Sequence, residues 1–246
     1  MFGYGVDKRV IYILLAILVV FSLATMSRGE WLSILLTLPA VIIAITFHEF
    51  AHAWTADKFG DTTPRSQGRI TLNPLKHLDP YWFILLMFAH FGLGWPVQIN
   101  PNNFTSNKSR NFCESMVSLA GPLMNFILAI ISCIAYVCLS YFASPLFING
   151  YTGSLIMLML YMLMTVNIGL GVFNLIPLPP LDGEKIFRSI LPYRAQEWLI
   201  RNYQTLYMIF LLLWIFGALE IIVSPVISTI INLLFKAVES IVLLFI

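Results

Sequence analysis

Charge is what this chain has least of. Only 11% of its 246 residues are charged, against about 25% in an ordinary soluble domain, and residues 115–181 contain no Asp, Glu, Lys, Arg or His at all. With 59% hydrophobic residues and a mean hydropathy of +0.85, that composition excludes a water-soluble globular fold and points to the lipid bilayer as the partner of most of the surface. Net charge is equally scant. At +2 it gives no reason to expect nucleic acid. Cysteine is rare too: Cys113, Cys133 and Cys138 show no CxxC spacing and two lie in apolar runs, so they read as reduced packing residues with no redox or disulfide role.

What is present is a series of apolar runs, to be counted at about 20 residues per membrane span. Residues 10–26 follow Lys8 and Arg9, but the run is long for a signal peptide and no polar mature sequence follows, so an uncleaved span is expected. A second run from Trp31 passes directly into His48-Glu49-Phe50-Ala51-His52. Residues 57–80 are polar and rich in turn formers, and 67–74 predict a short strand or hairpin bounded by Gly and Pro. Residues 81–95 fall short of a span and suit a re-entrant or interfacial piece. Spans are expected at 116–143, 154–176 and 203–219. The stripe Ile227, Ile230, Leu234, Val238, Ile241 and Phe245 leaves 226–246 open between crossing the bilayer and lying in its interface. The predicted fold class is an all-α polytopic membrane protein of about five to six transmembrane helices, with a small β-hairpin or re-entrant element after the His-bearing helix. It divides into an N-terminal transmembrane helix (1–30), a catalytic membrane core (31–190), and C-terminal transmembrane and amphipathic helices (191–246).

His48 and His52 stand at i and i+4 on a helix, so their imidazoles share one face about a turn apart, as two ligands of one metal ion require. Glu49 is rotated by about 100° from His48, within reach of a water at the metal without being a ligand. With so few His and Glu in the chain, roughly 0.002 matches to HExxH are expected by chance. A polar packing cluster is the alternative, but an ionisable group inside a bilayer costs at least about 2.5–3.5 kcal/mol. The third ligand is expected to be Asp182, the only acidic residue between Glu114 and Glu184, presented where Pro177, Pro179 and Pro180 break the preceding helix. Asn174 and Asn125 are candidates for binding substrate or an oxyanion. Packing explains either Asn about as well, and Gly121 reads equally well as a small residue at a helix crossing.

These residues resemble the site-2 proteases, intramembrane zinc metalloproteases. The likeness rests on His48-Glu49-Phe50-Ala51-His52, on Ala120-Gly121-Pro122 with Asn125, and on Asn174-Leu175-Ile176-Pro177-Leu178-Pro179-Pro180-Leu181-Asp182-Gly183. Gly68-Arg69-Ile70-Thr71-Leu72-Asn73-Pro74 with His77 and Asp79-Pro80 resembles the compact prokaryotic branch. The resemblance implies one Zn2+ per chain on His48, His52 and Asp182, with Glu49 as acid/base and Asn174 and Asn125 assisting substrate or oxyanion. It implies a transmembrane protein as substrate. The PDZ or CBS domains of larger members do not fit in this length, so control of access is expected from loops, terminal helices or a separate regulatory protein. The 66–74 hairpin and the segment 177–181 are expected to offer strand-like edges to an unwound substrate.

Two rivals come from other classes: a zinc-binding membrane scaffold or chaperone that cleaves nothing, against which Glu49 argues, and a metal transporter, which calls for a path of ligands rather than one group.

Basic residues cluster before the first run, after the second, at Lys108 and Arg110, and from Lys185 to Arg201, so these loops are expected to be cytoplasmic. Accessibility labelling of single cysteines introduced at 57–80 and at 184–202 should therefore find both segments on the inner face. Labelling of one segment alone from outside would separate the His pair from Asp182.

Overall fold

The computed structural model describes residues 20, 24, 25, 27–77 and 96–245. The expected span at 10–26, apart from three positions, and the short run at 81–95 lie outside the described residues. Helix α1 (Arg28–Lys58) carries Pro39. Helix α2 (Arg110–Phe142) starts at Ser109, whose hydroxyl oxygen accepts the Phe112 N–H, the usual N-cap contact. Helix α3 (Tyr151–Asn174) stops just before the Pro177-Leu178-Pro179-Pro180 run. There follow two short helices, α4 (Asp182–Ile190) and α5 (Tyr193–Arg201), then α6 (Tyr203–Ile215) and α7 (Ala218–Val242). Four stretches are long and apolar enough to cross a membrane: Trp31–Lys58, Arg110–Phe142, Tyr151–Asn174 and Ala218–Phe245.

One seam joins three of these helices. Ala129, Cys133 and Val137 of α2 pack with Met164 and Ile168 of α3 and with Val238 and Val242 of α7. Two of the three thiols therefore lie in or beside this seam as packing groups, and all three are free. The opposite side of α2 exposes Ile127, Ile130, Ile131 and Ile134, an apolar stripe suited to lipid. Helix α1 packs against both α2 and α3, and α4 against α2.

In the C-terminal region one expectation needs correction and one alternative left open is narrowed. The run 203–219 is not one span: Gly217 has φ +68, a left-handed conformation that favours glycine, and it ends the preceding helix. The 13 residues of α6 extend about 20 Å, short of a hydrocarbon core of about 30 Å. Phe210 of α6 and Leu219 at the start of α7 both pack on Leu181, so both ends of the turn stay at the level of the proline-broken segment. Residues 226–242 are not a separate interfacial helix. They continue α7, where Ile227 lies beside Gly169 of α3 and the Tyr141 hydroxyl donates to Glu239 Oε1 at 2.6 Å. Ile227, Ile230, Leu234 and Val238 of the apolar stripe face the other spans while Ile241 and Phe245 stay exposed, and α7 runs parallel to α2.

The predicted β-hairpin at 67–74 is also absent, as there is no strand among the described residues. Its backbone groups are taken locally: Asn73 Oδ1 accepts the Leu75 N–H, the Thr71 carbonyl bonds His77 Nε2 at 2.7 Å, and Arg69 donates to the Lys76 carbonyl. Such side-chain bonds compete with a ladder. The segment 177–181 is turned rather than extended, with Leu178 N–H on the Ile176 carbonyl and Leu181 N–H on that of Leu178. Neither segment offers a strand edge.

Buried Asp61 forms a joint just beyond α1. Its Oδ1 accepts the Thr63 N–H and hydroxyl and the Asn103 amide, and Oδ2 accepts the Asn100 N–H at 2.7 Å. Burial alone pushes the Asp61 carboxyl up, but these bonds outweigh it and hold the group below its ordinary value of 3.8. The stability it supplies is complete above that value and is lost as pH falls through the lower, folded-state one. Asp61→Ala, which strands several donors, should cost roughly 2–4 kcal/mol in detergent unfolding at neutral pH, and the difference from wild type should shrink in acid.

Candidate metal centre

His48 and His52 lie one turn apart on α1, both buried, with ring centroids 4.6 Å apart and the rings nearly perpendicular. Asp182, the first residue of α4, enters from the far side of the proline-broken turn. Its Oδ2 lies 3.2 Å from His48 Nε2 and 3.1 Å from His52 Nε2, and the two Nε2 atoms are 3.0 Å apart. Among the described residues this is the one group of three or more His, Cys, Asp or Glu side chains placed to hold a metal ion. Gly183 makes the turn possible, since a Cβ there would stand 2.3 Å from the Ile176 carbonyl oxygen.

The other ring nitrogens explain the arrangement. His48 Nδ1 is 2.6 Å from Asn125 Oδ1, and His52 Nδ1 is 2.6 Å from the Val117 carbonyl oxygen. Both partners are acceptors, so each Nδ1 carries the proton and each Nε2 presents its lone pair. The Asn125 orientation is set by its amide nitrogen, which donates to the Ala44 carbonyl at 3.1 Å and to Asn167 Oδ1 at 2.8 Å. Asn167 in turn donates to the Leu163 carbonyl. When both rings are neutral, two imidazole lone pairs and a carboxylate oxygen therefore converge. Such a set needs positive charge at its centre, a metal ion or, without one, a proton on the rings shared with Asp182.

The dimensions fit zinc. A triangle with edges of about 3.1 Å has its centre about 1.8 Å from each corner, close to the Zn–N distance of about 2.0–2.1 Å. Burial by itself pushes the Asp182 carboxyl up, but with no metal bound the positive charge and Nε2–H bonds of the protonated imidazoles outweigh it and hold the group well below the usual carboxylate range. Glu49 stands outside the triad and its Oε2 accepts the Val97 N–H at 3.0 Å. Behind Asp182, Arg188 bridges Glu184 and Glu114 at 3.1 Å each, pinning α4 to the start of α2.

The two asparagines singled out from the sequence are both hydrogen-bonded within the chain. Asn125 is buried with both its oxygen and its nitrogen engaged, on His48, Ala44 and Asn167. Asn174 turns its amide back onto the Leu170 carbonyl of its own helix, and no hydrogen bond ties it to the triad. Asn167, Val97 and the Val117 carbonyl were not anticipated. A signal existed only for Asn167, one of two asparagines in an otherwise apolar span. Gly121 does more than allow a helix crossing: a Cβ there would fall 2.4 Å from His52 Nε2 and 2.7 Å from His48 Cε1.

Long apolar helices enclosing a buried His-His-Asp group, with a Glu beside it in HExxH, define a membrane metalloprotease. The model of Peptidase family M50 matches residues 36–157 and 143–217, and the chain belongs to that family, the site-2 proteases. It is 37% identical over 175 residues, 71% of this chain and 78% of the other, to the candidate zinc metalloprotease YwhC of Bacillus subtilis. It is 31% identical to the candidate zinc metalloprotease Rip2 of Mycolicibacterium smegmatis, over 61% of this chain and 54% of that one. To zinc metalloprotease MJ0392 of Methanocaldococcus jannaschii it is 26% identical, over 77% of this chain and 43% of that one. The chain thus spans about half the length of the mycobacterial and archaeal relatives. No solved structure matches it.

Gly121→Ala tests the cradle directly. Its Cβ displaces both imidazoles, so zinc affinity measured against a chelator should fall by about 100-fold, the upper range for changes beside metal ligands, while helix content stays that of the wild type.

Proposed function

We propose that this chain is an intramembrane zinc endopeptidase that hydrolyses a peptide bond within or near a transmembrane segment of a membrane-protein substrate. The observation that carries this reading is the convergence of His48 Nε2, His52 Nε2 and Asp182 Oδ2 within about 3 Å inside a bundle of spanning helices. His48, His52 and Asp182 hold one zinc ion, and three protein ligands leave a coordination position open, the pattern of hydrolytic sites. When bound, zinc polarises the scissile carbonyl and makes water a nucleophile near neutral pH.

The remaining chemistry belongs to the chain. Glu49 is the general base: the Val97 N–H holds its Oε2, and the carboxylate takes a proton from the attacking water and returns it to the leaving amine. Asn125 orients His48. Asn174, at the end of α3 beside the proline-broken turn, keeps its amide on the Leu170 carbonyl and in this reading offers its oxygen to substrate backbone. A helical substrate hides its carbonyls in i→i−4 bonds and has to unwind before Glu49 can act on it.

The end of the bundle that carries the site also carries most of the described basic residues, with Arg28 and Lys236 the exceptions. Arg110 opens α2, Lys58 closes α1, and Asn111 at the start of α2 bonds Gln196 of α5 at 3.1 Å, bringing Arg194 and Arg201 to the same end. By the positive-inside rule that end faces the cytoplasm.

Purified protein is to be incubated in detergent with candidate single-span membrane proteins. Glu49→Gln should keep its zinc and its fold and lose cleavage by about 10² to 10⁴-fold, whereas His48→Ala, His52→Ala and Asp182→Ala should lose zinc as well. Cleavage by Glu49→Gln at the wild-type rate would assign the proton transfer to another group. Full zinc content in folded Asp182→Ala would move the third ligand elsewhere.

A further inference from the structure

We infer that Asp61 is a positioning residue for the catalytic base: its carboxylate tethers the segment 96–100, and the tether delivers the Val97 N–H to Glu49. The consequence for cleavage rests on the protease reading, but the tether is a property of the fold and is read without substrate.

The hydrogen bond that Glu49 makes among the described residues is the one from the Val97 N–H to Oε2, at 3.0 Å. Without that donor the carboxylate spreads over several staggered rotamers, and few of them point where a base must stand. What places Glu49 is therefore what places Val97. Residues 96–100 belong to no helix or strand, so the segment has to be held from outside. Gln98 Oε1 accepts from the Gln67 amide at 2.8 Å, but both side chains are exposed and water competes for them. The buried anchor is Asp61, whose Oδ2 accepts the Asn100 N–H at 2.7 Å with no solvent at the side chain.

Asp61 is itself fixed to α1. Its N–H bonds the Ala56 carbonyl at 3.0 Å, and its Oδ1 takes the Thr63 N–H, the Thr63 hydroxyl and the Asn103 amide. The lengths on the two sides agree. From Glu49 to Ala56 the helix rises about 10.5 Å, and the chain from Val97 to Asn100 reaches about 10 Å when extended, the conformation Asn100 adopts with φ −108 and ψ 100. Little slack is left, so a displacement of Asn100 is passed on to Val97. Farther along, the Thr105 N–H bonds the Phe59 carbonyl at 2.9 Å. This second anchor holds the loop to α1 independently of the carboxylate.

The two carboxylate oxygens have separate tasks, and a selective probe follows. In Asp61→Asn the remaining oxygen stays with the three donors at Oδ1, and the new NH₂ faces the Asn100 N–H. The contact with Thr63 survives while the tether is lost. Thr63→Val is the converse, since it removes one donor from Oδ1 and leaves Oδ2 on Asn100.

The test uses the zinc-loaded full-length protein in detergent, ¹⁵N-labelled at valine. Hydrogen exchange is read at the Val97 amide, and cleavage on a single-span membrane protein that the wild type cuts. In the wild type the Val97 amide should be protected, and Glu49→Ala, which removes its acceptor, sets the unprotected rate. Asp61→Asn should exchange Val97 at close to that rate and leave zinc content and the Val137 amide of α2 unchanged. It should lower kcat about 10- to 100-fold with KM unaltered, the mark of lost alignment at the reacting centre rather than lost substrate binding. Asp61→Ser, whose hydroxyl still accepts the Thr63 N–H but falls short of Asn100, should give the same signature if the Asn variant folds poorly. Thr63→Val should keep both Val97 protection and kcat.

Wild-type Val97 exchange in folded Asp61→Asn overturns the tether. Lost protection with wild-type kcat overturns its role in catalysis, and so does an equal fall of kcat in Thr63→Val, which marks a general weakening of the joint. A wild type that cuts none of the candidate proteins, while Asp61→Asn still frees Val97, overturns the protease reading and leaves the tether standing.

Discussion

Three electron-pair donors held about 3 Å apart in an apolar bundle repel one another, and most of what surrounds the triad serves to keep them there. The Val117 carbonyl and the Asn125 amide fix the protons on the far sides of the two rings. Gly121 clears the space into which the ring edges project. The Arg188 bridge between Glu184 and Glu114 holds the helix that begins with Asp182. In a low-dielectric interior none of these polar groups is tolerable unpaired, so the same bonds that aim the ligands also make their burial affordable.

The bundle accordingly has two unlike ends. At one end lie the triad, Glu49, the Asp61 joint and the short helices α4 to α6. At the other the helices meet through small and aliphatic side chains and the packed rings of Tyr136, Tyr161 and Phe235, and the Tyr141 hydroxyl bonds Glu239 between α2 and α7. Helix α6 stays at the chemical end, packing Phe210 and Trp214 against Phe173 beneath the turn that carries Asp182. The chain after the triad therefore first braces the site and only then crosses the bundle as α7.

How much of this could be read from the residues follows from the range of the forces involved. The His pair, the rotated Glu49 and the proline-broken approach to Asp182 are local features, and helical spacing with proline sterics places them. The existence of the spans α2 and α3 follows from run length alone, but the seam between them does not. The hairpin at 67–74 failed as a reading because Asn73, Thr71 and Arg69 satisfy the backbone locally, an outcome that alternation of residue type does not encode. The span at 203–219 failed because hydropathy averages across Gly217 and cannot see its positive φ. Asn125 was noticed as a polar residue, but its direction depends on Ala44 and Asn167, which lie 81 and 42 residues away. Long-range pairing of this kind leaves no periodic trace in one sequence.

The acceptors that orient both rings belong to a single helix. Val117 and Asn125 sit on α2, while His48 and His52 sit together on α1. The pair of imidazoles is therefore referred to one rigid frame, and a tilt or axial slip between α1 and α2 swings both rings in concert rather than splaying them. Helix α4 is moored to that same frame through Arg188 and Glu114. Helix α7, which meets α2 and α3 through their apolar seam, makes none of these bonds, so mechanical tolerance in that outer span coexists with a fixed coordination geometry at the inner end.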